Sequence, residues 1–436
     1  MNQTETQTMR AVDDLPEYQK TLGGPDWLVE LRTKAFEKFS ASQWPTTQEE
    51  EWRRTNLSAF EFESYSVVRE PSGSVPTIES LDTPDHAGVI SFRNGVLSGC
   101  AVRDDVLGRG VVFGSLLDTI SDNDEVIAAV RSTLERSVEE SDNRLQHWHY
   151  SMLRDAAVLL VPAGVTVEQP FEVRLEFDGD EATHAPHLVV ILERGAEASV
   201  IRRLETPSDD EVLVVDANEF VVADGARLRY ANVQRMNEES LYFCNDRGNV
   251  GRDGFVHRTE TVLGSAVTKS RYALELSGEG ADAVLNGIYF GTEEQHVDLR
   301  TVQQHRARHT TSRAFYRGAV ADESHAIYQG LIQVDGSAAG TDAYLTNKSL
   351  ILGEAARSDS IPSLNINTDD VRCSHGSTTG KLDESQIFYL RCRGYTETEA
   401  KQTLVEGFFE DLIVQTPPSI HQELRDLVME RIPEGE

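Results

Sequence analysis

The sequence predicts a mainly β protein flanked by helical regions, and three observations carry this prediction. Between residues 158 and 382 the chain shows little helical periodicity. Strand-like pieces such as HLVVILE and AIYQGLIQVD recur there, and glycines beside Asp or Glu mark the turns. Helical spacing returns at both ends. We therefore expect an N-terminal helical region (1–70), a linker with a mixed α/β segment (71–157), a strand-rich core (158–382) and a C-terminal helical region (383–436).

Two architectures fit a long series of short strands with tight turns. One is a β-sandwich, which is the commoner fold, and the other is a parallel β-helix, which suits the unbroken length of the strand-rich region. No exact sequence repeat is visible. The pattern alone leaves both architectures open.

The N-terminal region contains several predicted helices. Residues 1–20 are polar, and apolar residues at helical spacing follow Pro25. Trp44 and Pro45 end this helix, and a second one is predicted to begin near Thr46 and end near Leu57. Residues 71–88 have the composition of a linker or long loop. Further helices are predicted over residues 124–138 and 145–157.

Helical spacing returns at the C-terminal end of the strand-rich region. Asp383 is predicted to cap one helix, which Gly394 ends, and Thr396 with Glu399 forms a capping box for the next. Ser419 is predicted to cap the last helix. The expected apolar face of the middle helix is Ala400, Leu404, Phe408 and Leu412, and that of the last is Leu424, Leu427 and Val428.

The composition is strongly acidic. The 436 residues include 41 Lys and Arg against 73 Asp and Glu, which gives a net charge of −32. This charge is spread along the chain and makes nucleic acid an unfavourable partner. We interpret it as adaptation to a high-salt cytosol, with a broad acidic docking surface as the alternative. The absence of an apolar run of membrane-spanning length and of a secretory leader predicts a cytoplasmic protein.

The cysteines do not form a metal-binding or disulfide pattern by their spacing. Cys100, Cys244, Cys373 and Cys392 lie far apart, and buried structural thiols are expected at the first two. Cys373 and His375, two residues apart on a predicted strand, would share one face. A thiol and an imidazole placed in this way could bind one soft metal centre. The alternative is a buried thiol beside a hydrogen-bonded imidazole.

Other candidate sites are less favoured. Residues 376–381 resemble a phosphate-binding loop but have the wrong glycine spacing, and Leu382 replaces the required hydroxyl. Asp369 and Asp370 could be a glycosidase pair, but a turn explains both. The remaining candidates are histidines, for which satisfied core or surface positions are expected: His147, His149, His296, His305, His309 and His325.

Five segments resemble the SufB/SufD family of iron-sulfur cluster assembly proteins. The most specific is SIPSLNINTDDVRCSHGSTTGKLDESQIFYLRCRGY at residues 360–395. The others are WPTTQEEEWRRTNL (44–57), VLLVPAGVTVEQPFEV (158–173), LNGIYFGTEEQHVDLRTVQQH (285–305) and YRGAVADESHAIYQGLIQVDGSAAGTDAYLTNKSLIL (316–352). The Cys-Ser-His-Gly run at 373–376 resembles the SufD branch, whereas the SufB branch typically has Glu-His-Glu. A SufB-type paralogue is the alternative, and Cys392 and Tyr395 depart from the family pattern.

This resemblance implies a right-handed parallel β-helix core between helical regions, and a non-enzymatic role. It implies pairing with a SufB-like paralogue through the β-helix, binding of a SufC-like ABC ATPase, and a transient iron or iron-sulfur cluster shared with SufB. It also admits a flavin in the complex and a homodimer. His375 matches the family histidine at the subunit interface, with Cys373 as its neighbour. The expected ATPase-docking residues are Phe388, Tyr389, Arg393, Gly394, Leu404 and Phe408.

Overall fold

The computed structural model describes residues 9–67, 85–119 and 123–432. Strands make up 42% of the described residues and helices 25%, which confirms the mainly β prediction. The first eight residues and most of the predicted linker at 71–88 lie outside the described residues. Within the described ranges, no helix is long and apolar enough to cross a membrane.

The N-terminal part mixes helices with short strands. The predicted helix after Pro25 is present, whereas the one predicted near Thr46 is wrong, because residues 46–59 form only two short 3₁₀ helices. The elements are β1 (Met9–Arg10), α1 (Leu15–Thr21), α2 (Asp26–Ala41), the 3₁₀ helices Glu50–Trp52 and Leu57–Ala59, β2 (Ser66–Val67), β3 (Gly88–Arg93), β4 (Val96–Val102), α3 (Asp104–Leu107), β5 (Val112–Ser115), α4 (Leu116–Thr119), α5 (Asp124–Glu140) and α6 (Arg144–Met152).

An unbroken series of strands follows α6. These are β6 (Ala157–Val161), β7 (Phe171–Glu176), β8 (Ala182–His184), β9 (His187–Leu192), β10 (Glu197–Glu205), β11 (Val212–Val222), β12 (Arg227–Arg235), β13 (Leu241–Val250), β14 (Phe255–Val262), β15 (Val267–Leu276), β16 (Asp282–Gly291), β17 (His296–His305), β18 (Thr311–Val320), β19 (His325–Val334), β20 (Thr341–Ile351), β21 (Arg357–Ile366) and β22 (Val371–Gly380). The C-terminal helices are α7 (Glu384–Arg391), α8 (Glu397–Ile413), a 3₁₀ helix (Pro418–Ile420) and α9 (His421–Met429).

The strands form a parallel β-helix, or solenoid, of about 8 turns. Odd-numbered strands from β11 to β21 pair in parallel in one sheet (sheet A), and even-numbered strands from β10 to β22 pair in parallel in the other (sheet B). Register partners on adjacent turns are 26 to 32 residues apart, as in the pairs Leu241–Val267 and His325–Arg357. This pairing of every second strand excludes the β-sandwich. The right-handed sense stays a prediction.

Alternate residues of each strand point into the lumen of the solenoid. Apolar lumen residues such as Val200, Leu228 and Leu285 stack from turn to turn in one continuous buried cluster. Successive side chains of a strand point to opposite faces, so every second residue faces the lumen. The lumen is therefore the main core.

Helices cover both sheets on the outside. α2, α5 and α6 pack against sheet A through Leu31, Val130 and Tyr150. α8 and α9 pack against sheet B, where Val405 and Phe409 meet strand residues such as Phe290. The C-terminal helical pair therefore buries an apolar face on the solenoid. On α8 the prediction of this face was wrong at two positions, because Val405 and Phe409 are buried whereas Leu404 and Phe408 are only partly buried.

The predicted caps are present at two of three C-terminal helices. The Asp383 side chain accepts the backbone N–H of Ser385, and Thr396 and Glu399 form the predicted capping box. Ser419 does not cap the last helix; Ile420 occupies that position and makes no side-chain cap. Helix α6 ends at Met152, before the predicted end at Ala157, because Ala157 is already the first residue of strand β6.

The open end of the solenoid as a candidate functional site

The last turn of the solenoid has a free edge in both sheets. β21 pairs only with β19, and β22 pairs only with β20, within the described part of the chain. Leu364, on the lumen face of β21, is 39% exposed although the equivalent positions of earlier turns are buried. We call this turn, residues 357–380, the open end.

Cys373 lies on the lumen face of β22. Its register partner on β20 is Ala343, a buried lumen residue, and the Cys373 side chain packs partly buried against the lumen cluster. Burial raises the pKa of the Cys373 thiol, and a hydrogen bond with the backbone of Ala343 opposes this shift in part. The isolated chain therefore holds this group as a thiol at neutral pH.

His375 shares the lumen face with Cys373, as predicted. Its backbone pairs in register with the lumen residue Leu345. Its side chain is exposed and makes no hydrogen bond to another described residue. Two residues along a strand correspond to roughly 6.6 Å. The two side chains are thus adjacent, and the imidazole is free to bind a ligand.

The pair is an incomplete site for a metal. Within residues 9–67, 85–119 and 123–432, no group of three or more His, Cys, Asp or Glu side chains is placed to hold a metal ion. Soft metals in thiolate and imidazole sites usually have four protein or cluster ligands. Cys373 and His375 could supply two of these, so the remaining ligands would have to come from another molecule.

The other cysteines occupy different environments. Cys244 is buried in the lumen with its Sγ 3.1 Å from Asp246 Oδ1, and burial raises its pKa well above the usual range. Burial also raises the pKa of Cys100 to about 11. Both positions agree with the expected structural thiols. Cys392 is exposed at the end of α7.

The candidate histidines are mostly satisfied core groups, as expected. His305 contacts the hydroxyls of Thr310 and Ser312 at 2.8 and 2.9 Å inside the lumen. His296 contacts Thr55 Oγ1 at 3.0 Å on the outside of sheet A. His309 lies in a turn with a positive φ of 56°, so it does not share a strand face with His305.

Sequence reasoning missed a buried polar cluster beneath α6. His149 Nδ1 is 2.7 Å from the Val215 carbonyl oxygen, and its Nε2 is 3.0 Å from His187 Nδ1. His187 Nε2 lies 3.0 Å from Glu219 Oε2, and Tyr150 donates to Glu219 at 2.6 Å. No local pattern marks this cluster, because the groups come from three elements far apart in the chain.

The segments first considered for phosphate binding and glycosidic chemistry have structural roles. Residues 376–380 continue strand β22, so they do not form a loop. Asp369 and Asp370 lie in the turn before β22, where the Asp370 carbonyl oxygen accepts the backbone N–H of Gly340 at 2.7 Å. The turn interpretation is thereby favoured for both aspartates.

Helix α7 carries an exposed aromatic surface beside the open end. Phe388 and Tyr389 are 68% and 55% exposed, and the Arg393 guanidinium lies 4.7 Å from the Tyr389 ring centre. Gly394 ends the helix with a φ of +101°, a left-handed conformation that favours glycine. We call Phe388, Tyr389 and Arg393 the α7 surface.

Leu404 and Phe408 are less accessible than the α7 surface. Both are partly buried on α8. Phe408 packs against the cluster between α8 and sheet B, and the Arg317 guanidinium lies 5.5 Å from its ring centre. These contacts tie Phe408 to the solenoid of the same chain.

Comparison with known proteins adds to this geometry. Residues 175–408 match the family model described as SUF system FeS cluster assembly, SufBD core domain, and residues 23–173 match the SufBD protein N-terminal region.

Individual relatives give the same result. The chain is 30% identical over 287 residues to an iron-sulfur cluster assembly SufBD family protein of Mycobacterium bovis, covering 63% of this chain and 70% of the relative. It is 22% identical to SufD of Bacillus subtilis, covering 90% and 91% of the two chains. It is 31% identical to SufD of Escherichia coli over 245 residues, covering 56% and 58%. With a core match that spans more than half of its length, the chain belongs to the SufBD family of iron-sulfur cluster assembly proteins.

Proposed function

We propose that this chain is a SufD-type scaffold subunit of a cytoplasmic iron-sulfur cluster assembly complex and has no catalytic activity of its own. The observation that carries the proposal is the open end, where two unpaired sheet edges surround a thiol and an imidazole on one strand face. Similarity to two SufD proteins supports the SufD type over a SufB-type paralogue. The acidic surface is consistent with a high-salt cytosol.

The open end is the proposed surface for a SufB-like paralogue. A free sheet edge presents unpaired backbone N–H and C=O groups, which natural proteins usually cover. The end turn of a second solenoid would supply matching groups to both edges at once. A homodimer would use the same edges.

Iron or a nascent iron-sulfur cluster is the proposed cargo at this junction. Cys373 and His375 would provide two soft ligands, and the partner would provide the remaining thiolate or imidazole ligands. Burial raises the pKa of the Cys373 thiol, and the positive charge of a bound metal would offset this by stabilising the thiolate. With only two ligands from this chain, an iron-sulfur cluster would be bound transiently and could be transferred to another protein. A flavin in the complex stays a prediction from the family resemblance.

The α7 surface is the proposed docking site for a SufC-like ABC ATPase. Exposed aromatic side chains with an adjacent arginine are typical of interface centres. Because α7 follows β22 directly, movement of a docked ATPase would reach the open end through only the three residues between Gly380 and Glu384. Gly394, Leu404 and Phe408 would support this surface.

The test of the cargo site is cluster assembly on the complex. His375→Ala and Cys373→Ala should each lower anaerobic iron and sulfide incorporation several-fold. The melting temperature of the isolated chain should change little, because His375 is exposed and Cys373 is only partly buried at a free edge. Cys392→Ser is the matched control, because it removes an exposed thiol outside the open end. Unchanged cluster yield in both variants would argue against the metal site. The chain would then be a structural adaptor that binds its partners but no metal.

The ATPase surface has a separate test. Phe388→Ala combined with Tyr389→Ala should weaken binding of the ATPase at least about tenfold. Val29→Ala on α2 serves as the control, since Val29 is 44% exposed on a different face. Equal binding by both variants would contradict the assignment of α7. Sugar turnover by the purified chain, the outcome for a β-helix polysaccharide-active enzyme, would count against the scaffold function.

A further inference from the structure

The lumen surface at the open end has two chemically different halves. We define the thiol half as the lumen residues near the turn that joins β21 to β22, which are Leu364, Ile366, Val371 and Cys373. We define the hydroxyl half as the lumen residues at the opposite ends of the same strands and the groups directly beneath them, which are Tyr289, Asn347, Ser349, Ser358, Ser360, Ser377 and Thr379. His375 lies between the halves.

The hydroxyl half depends on a column of residues that crosses four turns. Tyr289, Gly318, Ser349 and Thr379 are register partners on β16, β18, β20 and β22. A Cβ on Gly318 would lie 1.7 Å from the Tyr289 ring, so only glycine lets this ring lean along the lumen toward the open end. The Tyr289 hydroxyl thereby reaches Asn347 Oδ1 at 3.0 Å and Ser349 Oγ at 2.9 Å.

Two hydroxyl groups in this half have no hydrogen-bond partner. Ser358 Oγ and Ser360 Oγ on β21 are buried atoms without a partner among the described residues. Ser358 lies beside the Tyr289 hydroxyl, but the two do not form a hydrogen bond of normal geometry. Buried polar atoms are satisfied in the great majority of native structures. Other unpartnered polar atoms lie inside the solenoid, but Ser358 and Ser360 lie on a free edge, where a second molecule can supply the missing partners.

The hydroxyl half contains no charged side chain. Its members are hydroxyls and one amide, which can donate and accept hydrogen bonds but cannot neutralise an ion. A charged group placed there would be buried without a counterion, which is strongly unfavourable. The matching group is therefore an uncharged hydrogen-bonding side chain, of the Ser, Thr, Asn or Gln type.

We propose that the hydroxyl half is a socket for an uncharged polar side chain on the end turn of the partner solenoid, and that this contact sets the orientation of docking. The proposal rests on the proposed function, which places that partner at the open end. Two solenoid ends can stack with like halves or with unlike halves in contact. Stacking unlike halves would leave Ser358 and Ser360 against apolar residues, so only like-on-like stacking satisfies them.

The experiment measures affinity between this chain and the purified paralogous solenoid subunit from the same source. Ser358→Ala combined with Ser360→Ala should weaken binding about tenfold, because polar groups of the partner lose their bonds. The fold of the variant should stay intact, since neither hydroxyl has a hydrogen-bond partner of normal geometry within residues 9–67, 85–119 and 123–432. Ser363→Ala on the outer face of β21 is the matched control and should bind like the unmodified chain.

A second variant separates this proposal from the proposed function. Leu364→Arg places a charge on the thiol half at a residue that is already 39% exposed. Loss of binding in Leu364→Arg, together with weakened binding of the double serine variant, supports the socket. Loss of binding in Leu364→Arg but normal binding of the double serine variant overturns the socket alone. Normal binding of Leu364→Arg means that the partner docks elsewhere, which overturns both.

Discussion

Arg202 and Asp216 form a bidentate ion pair inside the lumen, with Nη1–Oδ2 and Nη2–Oδ1 distances of 2.7 and 2.8 Å. Both side chains are fully buried, and Tyr242 donates a further hydrogen bond to Asp216 at 2.8 Å. The ion pair joins β10 of sheet B to β11 of sheet A within one turn, and the Tyr242 hydroxyl on β13 joins Asp216 to the next turn.

Replacement of Asp216 should destabilise the protein strongly. Asp216→Asn leaves the Arg202 guanidinium buried without a counterion, and we expect a loss of about 3–5 kcal/mol in the free energy of unfolding. Denaturant titration monitored by circular dichroism measures this change. Glu135→Gln is the control, because Glu135 pairs with Arg131 on the surface of α5, where such pairs contribute less than about 1 kcal/mol. Similar losses in both variants would contradict the role of burial.

Acid should weaken the docking of α6 through two separate groups. Burial alone would raise the pKa of Glu219, but His187 and the Tyr150 hydroxyl lower it to about 2. Glu219 therefore contributes about 3 kcal/mol to the free energy of unfolding above the pKa of about 4.3 that it has in the unfolded chain. This contribution is lost as the pH falls toward 2.

The second group, His149, acts at higher pH. Burial lowers the pKa of His149 to about 4, so its contribution is lost as the pH falls from about 6.5 toward 4. Unfolding free energies measured from pH 7 to pH 2.5 should decline over both intervals. Glu219→Gln should remove only the decline below about pH 4.3, and an unchanged profile in this variant would contradict the assignment.

An alanine at Gly318 should destabilise the solenoid near the open end. The added Cβ would overlap the Tyr289 ring, and relief requires movement of a packed side chain, so we expect a loss of about 1–3 kcal/mol. Gly407→Ala in α8 is the opposite control. Nothing lies within 4 Å of a Cβ at that position, and removing a helical glycine should stabilise the protein by about 0.5–1 kcal/mol. Thermal unfolding of both variants tests the sign of each effect.

Three of the four thiols should react with an alkylating reagent in the order of their exposure. Cys392 should react first and Cys373 second, whereas the buried Cys244 should react only on unfolding. Peptide mass spectrometry of timed samples measures the rates. Pairing with the proposed partner should protect Cys373 but leave Cys392 reactive. Rapid labelling of Cys244 in the native chain would show that the lumen is not closed as described.

Much of the fold could be predicted from local patterns. Alternation within strands identified the lumen faces, and the Thr396–Glu399 capping box identified the start of α8. The local sequence pattern could not distinguish a β-sandwich from a solenoid, because the difference depends on pairing between residues about 30 positions apart. The helix predicted near Thr46 failed because Lys269 and Gln329 hold that segment on sheet A through the Glu51 carbonyl oxygen.

The candidate site was predictable only in part. The spacing of Cys373 and His375 predicted their common face, and resemblance to a family predicts that they lie at a subunit interface. The hydroxyl half was not predictable, since Tyr289 reaches Ser349 only because Gly318 leaves space between them. The His187–Glu219 pair was missed for the same reason: contacts between turns carry no signal in local sequence.

The free edge of the last turn has a consequence for folding. Every inner turn is held by hydrogen bonds from two neighbours, whereas β21 and β22 are held from one side only. Backbone amides of these strands should exchange with deuterated solvent sooner than those of β13 or β15, because opening them disrupts fewer contacts. A partner that covers the end would slow this exchange. Part of the binding energy would then complete the folding of the strand that carries Cys373 and His375, so the metal-binding pair would become rigid only when the complex has formed.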